Sequence, residues 1–128
     1  MTNNKTIITT NDAPAAIGPY SQAIKNGRLI FTAGQIAIDP KTGVLVPGNI
    51  EEQTHQVIRN IEAILMAIDI DLEAVVKTTV FMTNFSNFTR MNKVYEQYFA
   101  NNPPARSALE VSALPLSAQI EIECIAMK

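Results

Sequence analysis

Cysteine and histidine occur once each in the 128 residues, as Cys124 and His55. An intrachain disulfide is thereby excluded, and so is a zinc site built from Cys and His ligands. Metal and redox chemistry are therefore not expected. Charge is also scarce, with 17% of residues being Asp, Glu, Lys or Arg, where about a quarter is usual. A chain so short of charge is expected to cover part of its surface with another copy of itself. The Lys and Arg residues are spread singly and the net charge is −2, so no basic stripe exists to release counterions from a phosphate backbone. Nucleic acid is therefore not expected as a direct ligand. No run reaches the roughly 18 apolar residues of a membrane span, and "MTNNKTIITT" has neither the charged start nor the apolar stretch of a signal peptide. The expected location is the cytoplasm, away from membranes.

Apolar residues are what the chain has in quantity, at 47%. That is enough for a real core in one domain spanning residues 1–128. Residues 21–38 hold two apolar runs joined at Asn26-Gly27, a pair suited to the positive φ of a tight turn, and so predict a β-hairpin. Gly34 interrupts the second run, either as a bend or as a place where something approaches the backbone closely. Residues 39–43 carry turn residues.

From Asn49 the period changes. Ile50, Val57, Ile61, Ile64, Leu65 and Ile68 recur at helical spacing, and Asn49 with Glu52 forms a capping-box start, predicting a helix over 49–68. His55, Arg59 and Glu62 fall on its wet face, so His55 reads as a solvated residue rather than a base. The β-branched stretch 75–83 predicts a strand with a buried side. Phe88, Met91, Tyr95, Tyr98 and Phe99 repeat at helical spacing, predicting a second helix over 86–100 whose aromatic stripe is core, with Ser86 or Asn84 as its cap. "NNPP" at 101–104 ends it. Segments 105–112 and 119–127 read as a closing hairpin turning at "ALPLS". The predicted order is β-β-α-β-α-β-β, with a short extra strand at Thr6–Thr9. This is an α+β fold, with two helices on one face of a mostly antiparallel sheet.

"PPARSALEV", residues 103–111, places one of only four arginines at the head of a strand. Strand alternation puts Arg106, Ala108 and Glu110 on one side and Ser107, Leu109 and Val111 on the other. In the partner strand, Ile120, Ile122, Cys124 and Ala126 form the side that the helices cover, with Cys124 a small core hydrophobe. In a hairpin, the opposite side would mix Arg106, Glu110, Glu121 and Glu123 with Ala108, Ile125 and Met127. That side is either a wet sheet face, where an exposed Arg–Glu pair contributes about 0–1 kcal/mol, or a face packed on a neighbouring subunit. In the second case the guanidinium fork suits a carboxylate, from a protein Glu or from a small acid. A half-buried Glu beside it, its pKa raised by burial and lowered by Arg106, could act as a base near neutrality.

"AIGPYSQA" (16–23), "FTAGQI" (31–36), "KTG" (41–43), "VVKTTVFM" (75–82), "PPARSALEV" (103–111) and "ALPLSAQIEIEC" (113–124) together resemble the reactive intermediate deaminase (Rid, formerly YjgF) family over nearly the whole chain. The resemblance implies a chorismate-mutase-like protomer, assembled as a homotrimer with sheets lining a central barrel and clefts between subunits. It also implies hydrolysis of 2-iminobutanoate and 2-iminopropanoate to 2-keto acids and ammonia, without cofactor or metal. The imines would come from pyridoxal-phosphate enzymes such as threonine dehydratase. By the same resemblance Arg106 binds the substrate carboxylate, Glu121 directs the water, Tyr20 lines the cleft and Gly34 offers its backbone to the ligand, while Asn92 has a supporting role. Ala33 and Ala108 line the substrate site where many relatives carry serine and cysteine. Alternation would turn Cys124 away from the site, so it does not replace that thiol. Glu110 and Glu123 stay structural. Two other readings remain: a module that binds a keto or amino acid without turnover, favoured by the two alanines, and a face that is merely an assembly seam.

Overall fold

The computed structural model describes residues 4–128; the first three residues, on which part of the leader reading falls, lie outside the described residues. Six strands and two helices follow in the order β1 (Lys5–Ile8), β2 (Ala23–Asn26), β3 (Leu29–Thr32), α1 (Ile50–Met66), β4 (Val75–Met82), α2 (Phe88–Phe99), β5 (Ala105–Glu110) and β6 (Ile120–Met127). The expected short first strand is present as β1.

Both helices form where their apolar period predicted them. The Asn49 side chain accepts from the Glu51 N–H at 3.2 Å, and Glu52 returns to the Asn49 N–H at 3.1 Å, closing the capping box at the head of α1. Its inward stripe, including Val57, Ile58, Ile61, Ile64 and Leu65, is fully buried. Each such side chain contributes about 1.5–3 kcal/mol on leaving water. In α2, Met91, Tyr95 and Phe99 are buried while Phe88 and Tyr98 are only half so. His55 is less wet than its period implied. It is half-buried between the helices, with Nδ1 2.7 Å from the Tyr98 hydroxyl. Arg90 grips Glu51 with two hydrogen bonds across the exposed side of the same helix pair.

The sheet runs β1-β2-β3-β6-β4-β5. The expected β2–β3 hairpin is present, but its turn falls one residue later than the Asn26-Gly27 pair: Asn26 ends β2 opposite Leu29, Gly27 and Arg28 make the turn, and of the pair Gly27 alone takes positive φ, at 60°. The closing hairpin is not formed. β6 inserts between β3 and β4, antiparallel to both, and β5 pairs in parallel with the far edge of β4. One physical reason accounts for the difference. β5 follows β4 through α2, and a helical crossover returns the chain parallel to the strand it left, whereas alternation within β5 and β6 carries no information about which neighbour each takes.

The helices cover one side of the sheet, where Ile30, Thr78, Val80, Ile120, Ile122, Cys124 and Ala126 are buried. The other side is bare. Strand pairing places Ile7, Leu29, Phe31 and Met127 on it, all of them exposed, with Phe31 at 42%.

Candidate functional site

Pro103 and Pro104 end the second helix and start β5 one residue before Arg106. Because β5 is the sheet edge, Arg106 has strand on one flank only. Its cross-strand neighbour is Thr78, whose own partner is Cys124, and both are buried on the helix-covered side. Arg106 therefore leans toward α2. Its Nη1 donates to Asn92 Oδ1 at 2.7 Å, and its guanidinium carbon lies 4.8 Å from the Tyr95 ring centre and 5.4 Å from that of Phe88. Tyr95 is itself pinned, its hydroxyl 2.7 Å from Thr78 Oγ1. The cradle is aromatic and neutral. No carboxylate among the described residues pairs with Arg106; the ion pair seen is Arg90 with Glu51.

Glu121 lies on the opposite side of the sheet. Its register partner is Phe81, next to Leu109, and so it belongs to the bare face with Ser107 rather than with Arg106. The expectation that Arg106 and Glu121 share one side is thus corrected. It rested on a two-stranded hairpin, and with β4 between them the two alternation phases are independent. The companion argument about Cys124 is corrected as well. Its thiol is on the same side as Arg106 and Ala108, and burial rather than direction makes it unavailable, pushing its pKa up to about 11.

Around Glu121 the chain builds a cavity of about 550 Å³, within the range of roughly 300–1,000 Å³ of small-molecule sites. Tyr20, Ala33, Gly34 and Glu121 line it, together with Ile17 and Leu116. Two backbone hydrogen bonds between Gln35 and Ile122, at 2.8 and 3.1 Å, lay residues 33–36 along β6. They press Gly34 so closely on the Glu121 carboxyl that a Cβ at 34 would collide with it. Gly34 has no positive φ, so close approach, and not a bend, is why glycine stands there. Burial, and secondarily the nearby Glu123 carboxylate, raise the Glu121 pKa above the usual carboxyl range. Arg106 contributes nothing to that shift.

The cavity's outer wall is held by Gln22, a buried amide. Its Oε1 accepts from the Thr10 N–H at 2.7 Å, and its Nε2 donates to the carbonyls of Thr10 and Pro14 at 3.0 and 2.8 Å. The Tyr20 hydroxyl accepts from the Ile17 N–H at 3.2 Å, closing the next turn. Within one chain the candidate residues therefore form two groups. Tyr20, Ala33, Gly34 and Glu121 share the cavity, whereas Arg106, Asn92 and Ala108 lie between the β5 edge and α2. Glu110 is structural, as expected, accepting from the Phe85 N–H at 2.9 Å. Sequence reasoning missed Gln22, Ile17 and Leu116, and assigned Phe88 and Tyr95 only to the core. A buried glutamine within a motif was the one available signal for the first, and nothing local distinguishes an aromatic that packs on a guanidinium from one that packs on leucine.

Residues 10–128 match the family described as Endoribonuclease L-PSP. A RutC family protein of Pyrococcus horikoshii is 54% identical over 124 residues, covering 97% of this chain and 98% of that one. The human 2-iminobutanoate/2-iminopropanoate deaminase is 46% identical over 122 residues, covering 95% of this chain and 89% of its own. Among solved structures, E. coli TdcF with bound serine superposes with a TM-score of 0.92 at 38% identity, over 96% of this chain and 98% of that one. No helix among the described residues is long and apolar enough to cross a membrane. Match, identity and superposition agree over nearly the whole length, and the chain is a member of the Endoribonuclease L-PSP family, the Rid/YjgF proteins that its motifs resemble.

Proposed function

We propose that this chain hydrolyses reactive 2-imino acids, such as 2-iminobutanoate and 2-iminopropanoate, to 2-keto acids and ammonia. The site is completed between copies, with Arg106 of one facing Tyr20, Gly34 and Glu121 of the next. One observation carries the reading. Among the described residues, an arginine in a neutral cradle with no carboxylate partner and a half-buried carboxyl in an apolar cavity with no cation lie on different sides of one chain. Each is half of a site for a small anion. The exposed apolar side chains of β1, β3 and β6 supply a face on which such copies can meet, and a closed ring of three is the assembly we assign.

The chemistry follows from the groups. Asn92 occupies one guanidinium nitrogen of Arg106, leaving the remaining donors to fork onto the substrate carboxylate. Glu121 takes a proton from a water as its oxygen bonds to C2, and hands that proton to the imine nitrogen as the C=N π pair moves onto it. The resulting tetrahedral carbon expels ammonia when the hydroxyl proton passes to the nitrogen and the carbonyl forms. One imino acid and one water give one keto acid and one ammonia, with no change of oxidation state. A carboxyl with a raised pKa is the better base for this, and the Gly34 amide and Tyr20 orient the imine against it. Ala33 and Ala108 add contact without chemistry. The relatives named as imine deaminases and the serine held by E. coli TdcF support the class, since serine too presents a carboxylate beside a nitrogen. Pyridoxal-phosphate dehydratases in the cytoplasm are the enzymes that would supply such imines, which are short-lived and must be met near their source.

The test couples the full-length protein to threonine dehydratase, with semicarbazide trapping the imine, and follows 2-ketobutanoate. Faster ketobutanoate release with less trapped imine is expected; no acceleration over buffer at any protein concentration rejects the proposal. The second reading, binding without turnover, is favoured by the alanines at 33 and 108. It predicts that Glu121→Ala keeps affinity for a keto acid and has no rate to lose. RNA cleavage, which the family's description would imply, has no support in the scattered charge and net −2 of this chain.

A further inference from the structure

Asn60 lies in the buried stripe of α1, 1% exposed among Val57, Ile58, Ile61 and Ile64. An amide leaves water at a cost unless its hydrogen bonds are replaced, and here they are. Its Nδ2 donates to the carbonyls of Ile36 and Ile38 at 3.2 and 2.9 Å, and its Oδ1 accepts from Gln56 Nε2, one turn earlier, at 2.8 Å. The bond from Gln56 fixes which way the amide points.

Ile36 and Ile38 belong to the segment that carries Ala33 and Gly34 along the cavity. The segment meets β6 at an isolated bridge, Gln35 with Ile122. One bridge is a pivot, which fixes a point and leaves the chain free to rock about it. Two further bonds, from the Ala33 N–H to the Gln22 carbonyl at 2.8 Å and from the Val46 N–H to the Ala37 carbonyl at 2.9 Å, tie the segment to loops. Of these anchors, Asn60 is the one that stands on a helix packed in the core. Across the pivot, Gly34 lies so close to the Glu121 carboxyl that a Cβ would collide with it. A small rotation about the bridge is therefore enough to open that contact.

We propose that Asn60 is a positioning residue of the hydrolytic centre: from inside α1 it sets how closely Gly34 is held against the Glu121 carboxyl. This rests on the hydrolytic reading above and adds to it the element that keeps the base dry. Without the two carbonyl contacts the segment can lift, water reaches the carboxyl, and the burial that raises its pKa is reduced. A carboxylate so hydrated is a weaker base and is aimed less well.

The experiment uses the full-length protein in the dehydratase-coupled assay, taken across pH with the uncatalysed rate subtracted at each point. Asn60→Ala removes both donors, whereas Gln56→Ala, at a half-buried position, removes only the brace on the amide. Asn60→Ala is expected to lower kcat roughly 10- to 100-fold while keto acid affinity, set by Arg106, holds within about twofold. The acid limb of its kcat profile should move down toward the ordinary carboxyl range, and that of Gln56→Ala should move the same way by less. A merely structural asparagine would lower the melting temperature and the fraction of active molecules, and would leave the limb where it is. An unmoved limb in both variants overturns this inference while the hydrolytic reading stands. Should Asn60→Ala fail to fold, the limb of Gln56→Ala decides by itself, a shift supporting the inference and no shift overturning it. No acceleration by the wild type at any pH overturns the hydrolytic reading and this inference together.

Discussion

Arg106 and Glu121 make opposite demands on their surroundings, and the two kinds of substitution should read differently. Arg106→Ala removes the anchor for the carboxylate, so KM should rise steeply for every imine. Arg106→Lys keeps the charge without the fork and should recover only part of the loss. Glu121→Gln should instead lower kcat, by the roughly 10²–10⁴-fold that a positioned base contributes, leaving keto acid affinity in place; titration calorimetry beside steady-state kinetics separates the two. The Glu121 pKa is raised in the fold, chiefly by burial. Folding therefore favours its protonated form, and the stability this contributes is present below the ordinary carboxyl range and lost as pH rises through the raised value. Glu121→Gln is accordingly expected to melt above the wild type at neutral pH and to lose that margin in acid. Wild-type activity, which needs the carboxylate, should fall with acidification before an ordinary glutamate would titrate. Gly34→Ala adds one carbon where the Glu121 carboxyl already sits and should cost activity with the fold retained, as circular dichroism would show. The importance of position 106 was legible from a lone arginine after two prolines. Its orientation was not, since that depends on which strand lies beside it.

At the scale of elements, what could be read was local. The helical periods and the Asn49–Glu52 box fixed α1 and α2 to within two residues of their ends, because the forces that set them act over one or two turns. Asn49→Ala should cost about 1 kcal/mol by chemical denaturation, the usual worth of such a cap. The strands were legible as strands and illegible as a sheet. Nothing in "IEIECIAM" shows that it will take β3 on one side and β4 on the other, and adjacency in sequence favoured the hairpin that does not form. The same nonlocality hid the division of the site, since the residues of the cavity come from the loops before β2, after β3 and before β6 and, for Glu121, from β6 itself. Gln22 draws the first of these loops in. Gln22→Ala would leave three backbone carbonyls, of Thr10, Ala13 and Pro14, and an N–H without their partner; stability should fall by about 1–3 kcal/mol, and limited proteolysis should open first near residues 10–14.

For the whole molecule, the division of the site has a consequence that no single-chain experiment would show. Arg106→Ala and Glu121→Ala are each expected to be inactive. Mixed after unfolding and refolded together, they should regain activity at about a quarter of the sites, because an intact pair then needs one subunit of each kind in the right order. Recovery absent from a demonstrably mixed assembly would place both residues in one chain's site. Phe31→Asp, on the bare sheet face, should shift the sedimentation coefficient downward and abolish turnover together. The position of β6 bears on how the chain is made. It is last in sequence among the strands and yet central in the sheet, so on the ribosome β1–β3 and β4–β5 are two half-sheets with open edges, waiting for the strand that joins them. A nascent chain of this topology stays adhesive until β6 clears the exit tunnel. Codon choice and chaperone supply up to that moment should then govern how much of it matures rather than aggregates.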